Sequence, residues 1–167
     1  DHCFIQPEGP DTGGFIFDSS ETHSSRLEKV CLRHFGSQSS VAVKILGSSS
    51  PVIFECVFLA NSYHFQISAP TGNPVFLDCV FRDNVDSKFD RSTIIESMAI
   101  TFDDCLFENN LSTLYPVLSV SSGDVEISNC TFSYNCAVAG GAVYLENSSG
   151  ILSNCFFREL RMLAFKT

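Results

Sequence analysis

Eight cysteines and several close-set carboxylates are the residues of this 167-residue chain whose types permit chemistry. A thiolate is a nucleophile and a soft metal ligand, and two thiols within reach close a disulfide. Zinc is a poor reading, because no C-x-x-C pair occurs and His2, His23, His34 and His64 are scattered. A secreted disulfide framework suits short chains with irregular loops, whereas six of these cysteines recur in step. Cys31, Cys56, Cys79, Cys105, Cys130 and Cys155 are separated by 25, 23, 26, 25 and 25 residues. Their simplest role is that of small buried hydrophobes. Cys3 and Cys136 fall outside the series and are free, paired or in contact with a partner.

Among the carboxylates, Asp78, Asp83 and Asp104 beside Arg82 offer acid and base groups of the kind that cleave glycosidic bonds. Asp78, Asp103 and Asp104 offer hard oxygens to calcium, but no loop has calcium-ligand spacing. Exposed polar corners explain these acids more simply, so the sequence assigns no catalytic residue, no cofactor and no metal. Glycosylation sequons at Asn110, Asn129 and Asn147 matter only on a eukaryotic secretory route. Asn147, in a turn, is the credible acceptor, while Asn110 is expected to face inward.

The elements that carry these residues follow from the repeat. Four cysteines open one motif, C-x-F-x-x-N, at Cys56/Phe58/Asn61, Cys79/Phe81/Asn84, Cys105/Phe107/Asn110 and Cys130/Phe132/Asn135. An apolar residue stands three places before the cysteine, at Ile53, Phe76, Phe102, Ile127 and Leu152. Polar pairs such as Asp103-Asp104 interrupt the alternation, and Cys and Phe at i and i+2 then share a face. A third apolar piece follows, as VAVKIL at 41 to 46, YPVLSV at 115 to 120 and GAVYLE just past 140, and Ser/Gly/Pro clusters close the unit.

Three short strands in every ~25 residues, without helices, predict an all-β, right-handed parallel β-helix, a solenoid of about six coils. A leucine-rich repeat has a similar period, but its L-x-x-L-x-L series is absent. The whole chain, 1–167, reads as one β-helix domain. Residues 1–20 form a lead-in or cap, 21–160 the coils, and 161–167 the end of the last coil or the start of a cap. RELRMLAF is a candidate capping helix, and the chain is expected to be a piece of something longer.

Stacking brings equivalent positions ~4.8 Å apart, so the interior becomes columns: the six cysteines, then Phe58, Phe81, Phe107, Phe132 and Phe157. Asn61, Asn84, Asn110 and Asn135 form a third column, whose amides can bond one another and the backbone of the turns. Residues just after the cysteines, Val57, Val80, Leu106, Thr131 and Phe156, face outward as a mildly apolar stripe, which makes them the candidate partner surface. Residues just before the cysteines, Glu55, Asp78, Asp104, Asn129 and Asn154, form a polar corner.

Composition limits the partners. The formal net charge of −9 opposes binding to nucleic acid, whose affinity rests on clustered Lys and Arg. No run reaches the ~18 apolar residues of a transmembrane helix. Sixteen phenylalanines and no tryptophan imply a core of Phe, Val, Ile and Leu.

At residues 132 to 144 the chain reads FSYNCAVAGGAVY, joining F-x-x-N at Phe132 and Asn135 to G-G-A-V at Gly140, Gly141, Ala142 and Val143. This pairing resembles the polymorphic outer membrane protein repeat family of bacterial autotransporter passengers and some protist surface proteins. With F-x-x-N alone in three earlier repeats, the resemblance spans roughly residues 50 to 160. It implies a β-helical surface stalk with adhesive or scaffolding roles and no catalysis.

The expected function is therefore non-enzymatic: an extracellular or cell-surface, adhesin-like protein that contacts a protein or glycan on a cell surface. The alternative is a structural component of a larger, even intracellular, assembly, docked to neighbouring subunits or to further coils of the same chain. A carbohydrate-active β-helix enzyme is the third reading.

Overall fold

Each repeat closes into one coil of a parallel β-helix, and the strand pairings between coils are all parallel. The computed structural model describes residues 3–8, 13–36, 41–62, 65–86, 94–113, 116–138 and 142–162, and no helix occurs among them. One sheet has seven strands, in the order Cys3–Ile5, Val30–Arg33, Val57–Leu59, Val80–Arg82, Leu106–Glu108, Thr131–Ser133 and Phe156–Arg158. Four two-residue strands, Val85–Asp86, Leu111–Ser112, Cys136–Ala137 and Arg161–Met162, build a second sheet. A ten-stranded sheet closes the coil, and its long members, Ile94–Asp103 and Leu118–Ser128, run through a bend.

Single left-handed residues make the corners of each coil. One set precedes the cysteine column: Lys29, Glu55, Asp78, Asp104, Asn129 and Asn154, all with φ between 49° and 55°. The second set lies five residues on, at His34, Ala60, Asp83, Asn109, Tyr134 and Glu159, with φ between 48° and 63°. That conformation costs most L-residues ~1–2 kcal/mol, while Asn and Asp tolerate it because their short side chains bond locally. Half of these twelve corners are Asp or Asn, so the polar residue before each cysteine is selected by backbone geometry.

Between the corners, side chains stack along the axis. Phe58, Phe81, Phe107 and Phe132 are buried, with successive ring centroids 4.7, 4.7 and 4.6 Å apart and planes within 10° of parallel. Phe76 and Phe102 make a second stack at 4.9 Å, and Phe102 meets Phe107 edge-on at 5.7 Å. Offset and edge-on pairs of this kind add about 0.5–1.5 kcal/mol each beyond the area they bury.

The asparagine column satisfies the backbone at the second corner. The Asn84 backbone N–H donates to Asn110 Oδ1 at 3.0 Å, and Asn110 Nδ2 donates to the Phe81 carbonyl at 2.9 Å. The same pair of bonds joins Asn61 to Asn84 and Asn110 to Asn135. At the first coil the Phe35 N–H donates to Asn61 Oδ1, which ends the series on an apolar residue.

Thiols play a parallel part at the first corner. The Sγ of Cys79 lies 3.4 Å from the Ile53 carbonyl of the preceding coil and 3.3 Å from the Leu77 carbonyl of its own. Cys56, Cys105, Cys130 and Cys155 repeat this arrangement, in which one S–H is shared between two carbonyls. All eight cysteines are free thiols.

The remaining bend is lined by small residues. A Cβ on Gly72 would lie 2.3 Å from the Ser49 carbonyl oxygen, and one on Gly123 only 1.7 Å from that of Ser97. The buried Ser97 hydroxyl donates to the Gly72 carbonyl at 2.8 Å. Coils therefore approach here more closely than any larger residue permits.

Two expectations need correction. Cys31 does not continue the cysteine column: it pairs with Val57, one place on, and Val30 takes the cysteine position. The reason is Arg33, which a Cys31 alignment would drive into the core slot of Phe58. A one-residue shift puts Leu32 there, fully buried, and sends Arg33 outward over the Phe4 ring. Nor does RELRMLAF begin a helix: Phe156–Arg158 and Arg161–Met162 are strands, with Glu159 as a left-handed corner, and residues 163–167 lie outside the described set. Residues 3–5 and 15–17, within the expected lead-in, carry strands paired to Val30–Leu32 and Val43–Ile45.

Candidate functional site

The outer face of the seven-stranded sheet gathers the stripe residues. Val57 pairs with Val80, Val80 with Leu106, Leu106 with Thr131 and Thr131 with Phe156, so the five stand in one column along the axis. Alternation turns Phe58, Phe81, Phe107 and Phe132 inward, which leaves their neighbours facing out. Val57, Val80, Leu106 and Thr131 are half-buried by one another, and Phe156 is exposed. Toward the N-terminus, Cys31 and Phe4 extend the same column. Cys31 is buried there, and that burial raises its thiol pKa against the lowering influence of Arg33.

Two mostly polar columns flank the apolar one. On one side Leu59, Arg82, Glu108 and Ser133 follow in register, with Arg82 Nε 2.8 Å from a Glu108 carboxylate oxygen. On the other stand the left-handed corners Glu55, Asp78 and Asp104. Partial burial raises the Asp78 carboxyl above its ordinary range, reinforced by Asp104, Glu55 and Asp103. Asp103 is held low instead, because the Ser128 hydroxyl and Asn129 amide donate to it at 2.6 and 2.9 Å.

These positions set Asp83 apart from the other carboxylates of the acid–base set. Asp78 and Asp104 share one corner, but Asp83 sits at the other, across the strand Val80–Arg82, on the order of 15 Å away along the chain. Catalytic carboxylate pairs stand roughly 5–9.5 Å apart. Asp83 accepts instead from the Asn109 amide, and Arg82 is occupied by Glu108. Among the described residues, no three His, Cys, Asp or Glu side chains converge to hold a metal ion.

The inward columns end within the last described coil. Phe157 still stacks on Phe132 at 5.1 Å but is 43% exposed, and Cys155 is half-buried. Of the three sequons, Asn110 is buried within its column and the Asn129 amide is engaged by Asp103. Asn147 is exposed at a corner with φ 49°.

Sequence reasoning missed the register of Cys31, although Arg33 in a core slot was a visible warning. It also missed the outward column Val85, Leu111, Cys136 and Arg161, whose two-residue strands are too short to show alternation. Comparison with models of protein families, with curated proteins and with solved structures finds no match for this chain. Gly140 and Gly141 of the G-G-A-V motif lie outside the described residues, while Ala142 is buried and Val143 half-buried.

Proposed function

We propose that this chain is a non-enzymatic β-helical contact module, adhesin-like and extracellular or cell-surface in setting, that binds a protein partner through the outer face of its seven-stranded sheet. One observation carries the reading: Val57, Val80, Leu106 and Thr131 form an unbroken, half-buried and mostly apolar column on the outer face of the sheet. Burying such a column adds about 25 cal/mol for each Å² of apolar surface removed from water, and a stiff scaffold loses little entropy when it docks. The resemblance of the F-x-x-N repeats to surface-protein repeats supports the same setting.

The test is concentration-dependent binding of the purified protein to cells and extracellular matrix, beside a variant carrying Val80→Lys and Leu106→Lys. Binding should fall at least tenfold with the melting curve little changed. Equal binding by the two proteins would remove the stripe as the site.

A scaffold role is the second reading, favoured by the coil at residues 148–158. Its inward residues Leu152 and Phe157 are exposed there, whereas Ile127 and Phe132 one coil earlier are fully buried. A neighbouring subunit would stack on that apolar surface.

A further inference from the structure

A groove on the ten-stranded sheet carries different chemistry from the stripe. It is an open trough of about 310 Å³, at the lower end of the roughly 300–1,000 Å³ of small-ligand sites. One wall is the register column Ala99, Asp124 and Ser149; the other is Thr101, Glu126 and Ile151. Between them, Ile100 and Val125 turn inward and are buried, and Gly150 follows in the same position, so the floor is backbone. The groove thus runs along the solenoid axis across three coils.

Its surface offers acceptors, hydroxyls and one apolar platform. Asp124 accepts a hydrogen bond from the Ser149 hydroxyl, which fixes the carboxylate at the wall. Neither Asp124 nor Glu126 has an ion-pair partner among the described residues. Ile151, 67% exposed, stands beside them with no apolar cover.

We propose that this groove binds an uncharged oligosaccharide laid along the axis. Carboxylate oxygens accept from sugar hydroxyls in charge-assisted bonds, and the C–H face of a pyranose ring packs on Ile151. Coils repeat every ~4.8 Å, close to the length of one pyranose unit, so successive rings meet successive pairs of wall residues. Asp124 and Glu126, in a protein of net charge −9, repel uronates and sulfated glycans. The site lies on another sheet from the stripe and does not depend on it.

The experiment is titration calorimetry of the full chain with cellobiose, maltose and lactose, beside digalacturonate and hexylamine as charged probes. At least one neutral disaccharide should bind saturably, and molar salt should not abolish it. Glu126→Gln and Ile151→Ala, both at exposed positions, should each weaken binding about tenfold, the first by removing the charge that strengthens a hydrogen bond and the second by removing the apolar platform. Val80→Lys with Leu106→Lys should leave it unchanged. Melting curves of each variant establish that the fold is retained. The proposal is overturned if no neutral disaccharide binds, if Glu126→Gln and Ile151→Ala bind as the parent does, or if only hexylamine binds and salt removes it.

Discussion

Asn110 shows how much one side chain in the interior holds. Its Oδ1 accepts from the Asn84 N–H, and its Nδ2 donates to the Phe81 carbonyl. Asn110→Ala leaves the buried Asn84 N–H unpaired, at about 1–3 kcal/mol, and breaks the side-chain bonds to the Phe81 carbonyl, Asn84 and Asn135, each worth about 1 kcal/mol. The melting midpoint should therefore drop by roughly 10 °C at ~2–4 °C per kcal/mol, measured by calorimetry. Asn109→Ala, next along but exposed at a corner, should lose only the ~1 kcal/mol of left-handed preference and a solvent-exposed bond to Asp83 worth about 0.5–1 kcal/mol. The thiols give a pH signature. Burial pushes Cys56 from its ordinary 9.0 up to about 12. A raised folded pKa favours the neutral thiol, so this stabilisation is complete below about pH 9 and is lost as pH rises toward 12. Urea unfolding under reducing conditions at pH 8 and 11 should show the decline, and Cys56→Ala should make it shallower. The inward sense of Asn and Phe was legible because both recur in phase with Cys. The thiol-to-carbonyl bonds were not, since they depend on where the preceding coil turns.

At the level of strands and corners, spacing carried the architecture because three short apolar pieces recur with turn residues between them. Asp78, Asp104 and Asn129 read as a polar corner, yet their left-handed backbone could only be seen once the strands bent around them. Cys31 shows the limit of aligning on one residue type: the pattern of Val30 and Leu32 inward with Arg33 outward decides the register, and the cysteine follows. The groove residues Asp124, Glu126 and Ile151 sit at alternate positions, but nothing in DVEISN marks a concavity. Gly123 is the sharpest test of coil stacking. Its φ is 101° and a Cβ would stand 1.7 Å from the Ser97 carbonyl oxygen. Gly123→Ala should yield little folded protein, whereas Gly36→Ala, whose Cβ would be 4.0 Å from its nearest neighbour, should melt within about 2 °C of the parent. Equal melting of the two would mean that the coils do not approach closely at this bend.

For the molecule as a whole, the account divides each strand of the seven-stranded sheet into an inner residue that holds the coils and an outer one that meets a partner. Leu106 and Phe107 are adjacent in sequence and opposite in role: Phe107 is fully buried between Phe81 and Phe132, and Leu106 faces out between Val80 and Thr131. Truncating Phe107 to alanine should cost about 3–5 kcal/mol, which sets the scale of a core defect. The most direct measurement is the cell-binding isotherm of Leu106→Lys, taken beside its melting curve. The account predicts binding weakened by about tenfold or more, with a melting point within a few degrees of the parent. Binding equal to the parent's, or a loss of melting temperature as large as that of Phe107→Ala, would contradict it.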